Sequence, residues 1–134
     1  MATFDPQATV TTWGPITFQG VMDGEYFSAE RQENAVDVHV GSQGFATFVF
    51  NANESGMFKV TLSQESPTNR ELSLAHAAKL IQMFQMEDLN NGTLATGPET
   101  AIQKHAPLKR GNKIIGMEWT FICAKMTLVA GGDL

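Results

Sequence analysis

A single cysteine, Cys123, stands in 134 residues, so neither an internal disulfide nor a cysteine-built zinc site holds this chain together. Charge is scarce as well. Only 17% of residues are charged, and nine basic against fourteen acidic side chains leave a net charge of −5, a balance unsuited to gripping nucleic acid through its phosphates. No apolar run approaches the length of a membrane-spanning helix, and Met1-Ala2-Thr3-Phe4-Asp5-Pro6 lacks the basic start and apolar stretch of an export signal. The expectation is a chain that stays soluble inside the cell, with no membrane partner. His39, His76 and His105 are far apart, without ligand partners at metal-site spacing. There is no phosphate-cradling glycine loop, no serine nucleophile elbow and no carboxylate pair on a catalytic frame. These gaps predict no enzyme, no metal and no cofactor, with Cys123 a buried free thiol in an apolar strand pattern.

What is present is strand-forming sequence, enough for one domain over 1–134 with a real core. Val36, Val38 and Val40 alternate with Asp37 and His39, the period of a half-buried strand. Gly41-Ser42-Gln43-Gly44 turns the chain back through the β-branched and aromatic run Phe45 to Phe50. A second turn, Asn51 to Gly56, leads to Phe58, Val60 and Leu62, which alternate with Lys59, Thr61 and Ser63. A central meander over 34–64 is expected. Ahead of it, Val10, Trp13, Ile16 and Phe18 around Gly14-Pro15 suggest two short strands separated by a kink. Asp23-Gly24 then introduces a strand bearing Phe27 and Ala29 on one face.

After Ser66-Pro67 the period lengthens: Leu74, Ala77, Ala78, Ile81 and Phe84 form a helical stripe, and Thr68 to Glu71 has capping-box spacing. This predicts one helix over 66–85. Asn91-Gly92 marks a hairpin, and Ala101 to Lys104 another strand. From Ile115 to Val129 the apolar phase slips by one residue, which implies a bulge or a crossing between sheets. Residues 1–12 read as an N-terminal arm and 130–134 as a loose C-terminal end. The expected fold is mainly β, an antiparallel β-sandwich or barrel with one flanking α-helix. The runs at 45–50 and 115–129 carry more apolar sequence than one small helix covers, so self-association is the natural remedy.

The serial order of segments resembles the tail tube proteins of contractile-tailed bacteriophages. The resemblance rests on Ile16-Thr17-Phe18-Gln19-Gly20 with Asp23-Gly24, Val38-His39-Val40-Gly41 with Gly44, and Gly56 leading to Val60-Thr61-Leu62. It continues through Gln64-Glu65-Ser66-Pro67-Thr68-Asn69, Asp88-Leu89-Asn90 with Gly92-Thr93, and Glu118-Trp119-Thr120 to Cys123-Ala124 near Gly131-Gly132. These are turn and core residues, and their order carries the likeness over nearly the whole chain. The resemblance implies a structural virion protein of the tail, assembled in the host cytoplasm. Homohexameric rings would stack into a tube, with an inner β-barrel shared between subunits. Sheath, baseplate and tail terminator proteins would be its neighbours, and the tape measure protein and DNA would pass through the lumen without tight binding.

On that reading Glu30, Glu33 and Asp37 are expected to face the lumen, where carboxylates repel DNA phosphates. Asn51, Asn53, Glu54 and Ser55 are expected at the contact between rings, and Lys109 and Arg110 against a neighbouring subunit or a sheath. Two other readings compete. One is the tube of a related injection system, of type VI or tailocin kind. The other is a small β-sandwich that binds a sugar or peptide on Trp13, Trp119 and Tyr26.

Overall fold

The computed structural model describes residues 9–19, 26–89, 92–108 and 115–131. In chain order the elements are β1 (Thr9–Trp13), β2 (Ile16–Thr17), β3 (Phe27–Arg31), β4 (Val36–Val40), β5 (Ala46–Phe50) and β6 (Gly56–Ser63). There follow α1 (Thr68–Ala77), β7 (Gln82–Asp88), β8 (Thr93–Lys104), β9 (Gly116–Cys123) and β10 (Thr127–Val129). Eight strands make one antiparallel sheet in the order β2-β1-β7-β8-β9-β6-β3, with β10 also on β8.

The twelve-residue β8 turns this sheet into a sandwich. Its first half lies between β7 and β10, its second half beside β9. Between the halves, at Gly97 to Thr100, the register with β7 shifts and the buried face moves from Ala95 and Gly97 to Thr100 and Ile102. The irregularity lets one strand serve both layers. Opposite it, the strand expected over 115–129 breaks after Cys123 and resumes at Thr127, with Met126 buried in the gap. The phase slip in the sequence reports this break. Gly97 is needed here because a Cβ would lie 2.6 Å from Thr100 Oγ1 and 3.0 Å from Cys123 Cβ.

The layers meet through aromatic side chains. Phe58 of β6 stacks on Phe84 of β7 at 4.3 Å between ring centroids, and Trp13 of β1 meets Phe121 of β9 edge-on at 5.4 Å. Trp13 Nε1 donates to the Thr100 carbonyl at 2.9 Å, so its one polar atom is satisfied where the strand shifts. Val60, Leu62, Leu72, Met117 and Trp119 complete a buried cluster. Trp119 Nε1 donates to Asn69 Oδ1 at the start of α1.

Several expectations need correction. The helix spans Thr68–Ala77 instead of 66–85. It closes with Lys79 in the left-handed region (φ 55°), while Lys79 N–H donates to the His76 carbonyl and Leu80 N–H to that of Ala75. This is the hydrogen-bond pattern of a Schellman closure, at a position that glycine usually fills. The expected stripe is not the buried face: Leu72 and Ala75 face the core, whereas Leu74 and Ile81 are exposed. Nor does Thr68 cap the helix. Its hydroxyl accepts from Gln19 N–H at 3.1 Å, the N-cap position falls on Pro67 without a side-chain cap bond, and Thr68 N–H donates to Ser66 Oγ. Phe84, placed on the helix by its spacing, belongs to β7, where Phe84 and Met86 alternate with Gln85 and Glu87. Residues 101–104 continue β8, and the last four positions of the expected arm, 9–12, belong to β1 and pair with β7.

Candidate assembly surface

The largest departure from the sequence reading lies in 36–50. β4 and β5 pair only with each other among the described residues, forming a two-stranded ribbon outside the sandwich. The half-buried meander is therefore not what forms: β3 pairs directly with β6, and every residue of β4 and β5 is exposed.

The ribbon is strongly two-sided. Val36 lies opposite Phe50, Val38 opposite Phe48 and Val40 opposite Ala46, so these six residues share one face. Asp37 opposite Val49 and His39 opposite Thr47 form the other. Phe48 is 66% and Phe50 77% exposed, with Phe45 bare in the turn. Together the apolar face leaves roughly 450 Å² of hydrocarbon in water, within the range of the largest patch on a monomeric surface, which is often functional. A lone two-stranded hairpin is marginal in water. The turn itself is defined: Gly41 N–H donates to the Phe45 carbonyl and Gly44 N–H to that of Gly41, with Gly44 at φ 86°.

Polar contacts tie together the two linkers, 32–35 and 51–55, that join the ribbon to the sandwich. Asn51 N–H donates to the Ala35 carbonyl, and Asn51 Nδ2 to the Glu33 carboxylate. Asn51 Oδ1 accepts from Asn53 N–H at 2.9 Å, and Asn53 Oδ1 from Ser55 N–H at 3.0 Å, two successive Asx turns. Ser55 Oγ meets Gln32 Oε1, and the Glu54 carbonyl accepts from Met126 N–H. Lys125 Nζ lies 3.7 Å from Glu54 Oε2, an exposed pair that adds little.

The expected site residues thus fall in two groups. Glu33, Asn51, Asn53, Glu54 and Ser55 gather at the foot of the ribbon. Glu30 is exposed on β3 opposite Met57, and Asp37 is exposed on the polar face of the ribbon. Lys109 and Arg110 lie outside the described residues. Of Trp13, Trp119 and Tyr26, the stacking platform of the competing ligand-binding reading, the two tryptophans are fully buried and Tyr26 is half-buried. Cys123 is buried too, and burial pushes its thiol up from the ordinary range against smaller opposing effects of the Gly56 backbone, the Thr100 side chain and Arg31. Among the described residues no three His, Cys, Asp or Glu side chains are placed to share a metal ion. No described helix is long and apolar enough to cross a membrane.

No protein-family model and no curated sequence matches the chain. Solved structures do. The sheath/tube terminator of an extracellular contractile injection system, in its extended state, superposes with a TM-score of 0.66 at 10% identity, over 97% of this chain and 99% of that one. A chain of a native gene transfer agent virion gives 0.63 at 14% identity, over 96% and 100%. The tube-terminating cap of the anti-feeding prophage gives 0.60 at 10% identity, over 98% and 93%. At these identities the likeness is one of fold: this chain has the architecture found in those particles.

Proposed function

We propose that this chain is a structural subunit of a phage tail or a related contractile particle, and that copies of it close into a ring around a bore through the β4–β5 ribbon. The observation that carries the reading is the bare apolar face of that ribbon, on a fold shared with injection-particle components. Covering the ribbon with sister copies removes its hydrocarbon from water and pairs its open edges. The role is mechanical and needs no catalysis.

In the finer form, six copies make each ring, and rings stack into the inner tail tube. The ribbons join as an inner barrel, with Asp37 on their polar face toward the lumen and Glu30 and Glu33 near it. A carboxylate-lined bore repels DNA phosphates, so genome and tape measure protein travel through without sticking. The 51–55 foot lies at the contact between rings, Lys109 and Arg110 meet a neighbour or a sheath, and baseplate and terminator bound the tube in the virion. The fold shared with two caps or terminators favours a second reading, a single ring that ends a tube.

Negative-stain microscopy of the purified chain at high concentration separates these outcomes. Stacked rings with a central hole are expected. Single rings that do not stack support the terminator reading, and a dispersed monomer without any annular state contradicts both.

A further inference from the structure

A second bare apolar surface lies across the molecule from the ribbon. In the layer β8-β9-β6-β3 the ribbon springs from the β3–β6 edge. At the opposite edge β7 pairs with β8 only as far as Thr100, and beyond that point a cleft of about 240 Å³ opens between α1 and β8. His76, Lys79, Leu80, Ile81, Ala101 and Ile102 line it. Ile81 is 68% and Leu80 43% exposed there, and neither belongs to the buried core.

The geometry points to this cleft as the receptor for the apolar face of the β4–β5 ribbon of a second copy of the chain. The inference rests on the reading of the ribbon as the assembly element and names what that element binds. Three observations favour it. A ribbon-to-ribbon contact across a two-fold axis leaves the Ile81 patch bare, whereas a head-to-tail contact covers both surfaces and, repeated with closure, generates a ring. The cleft is of the size that one aromatic side chain fills, and the ribbon presents Phe48 and Phe50. Charge is complementary: residues 32–55 carry Glu33, Asp37 and Glu54 with no lysine or arginine, whereas the cleft is lined by Lys79 and holds no carboxylate.

Two single-cysteine additions test the contact. After mild oxidation, Phe48→Cys mixed with Ile81→Cys is expected to give a covalent dimer that neither variant forms alone. A dimer from Phe48→Cys alone, or none from the mixture, overturns the inference. Ile81→Glu, at an exposed position, is expected to keep the far-UV circular dichroism and melting of the parent while weakening each junction by roughly tenfold to a hundredfold in sedimentation. Phe48→Glu distinguishes the two levels of the account. If it blocks assembly while Ile81→Glu assembles normally, the ribbon still assembles but the cleft is not its receptor; if Phe48→Glu assembles normally, the reading of the ribbon itself fails.

Discussion

Replacing Phe48 and Phe50 together by serine separates a ribbon that serves assembly from one that serves the core. The two rings lie on the same face of β5, are 66% and 77% exposed, and are absent from the aromatic cluster that joins the layers. At about 200 Å² per aromatic side chain, the pair leaves close to 280 Å² of hydrocarbon in water. Full burial of that area in an assembly contributes about 7 kcal/mol per subunit at about 25 cal/mol per Å². Realising only half of it shifts the association constant by more than two orders of magnitude. The isolated subunit loses almost nothing by the change, and its stability should move by no more than about 0.5 kcal/mol, the usual range for surface substitutions. Thermal melting of dilute protein and sedimentation velocity across a concentration series read the two effects separately. A variant that melts like the parent yet stays monomeric fits the account. A large loss of melting temperature, or assemblies unchanged in size and midpoint, refutes the reasoning.

Other substitutions probe the frame that carries the ribbon. Gly97→Ala forces a methyl group against Thr100, Cys123 and Phe58 in the strand crossing, and chemical denaturation should register a loss of about 1 to 3 kcal/mol. Lys79→Gly relieves a left-handed residue at the helix end and should raise stability by roughly 0.5 to 1 kcal/mol, measured by urea titration. The Cys123 thiol should resist a colourless disulfide reagent in the native state at neutral pH and react fully once the chain is unfolded. Because folding raises its pKa, its contribution to stability is intact below the unfolded value of about 8.5 and is lost as pH climbs from there through the folded value. Melting temperatures of the parent should therefore fall more steeply above that point than those of Cys123→Ala.

The strands were legible wherever the period of two was unbroken, as in β6 and β9, because burial on one face imposes that period directly. The slip after Cys123 was legible for the same reason. Local pattern could not tell a core strand from an exposed ribbon: Val36, Val38 and Val40 alternate just as Phe58, Val60 and Leu62 do, and only the pairing of β3 with β6 leaves the former outside. The helix end was missed because Lys79 occupies the left-handed position without the usual glycine and because Ile81 and Phe84 extend a helical spacing by coincidence. Alternation of Phe84 and Met86 with Gln85 and Glu87 was the available sign of β7. The foot of the ribbon reads in sequence only as small polar residues, since its Asx turns and its bonds to Gln32, Glu33 and Met126 depend on how the chain returns.

Amide hydrogen exchange across residues 36–50, compared between dilute monomer and assembled particles, bears most directly on burial of the ribbon by sister copies. The account expects rapid exchange there in the monomer and strong protection on assembly, with the amides around Phe58 and Phe121 slow in both states. Equal, rapid exchange of 36–50 in fully assembled particles contradicts it.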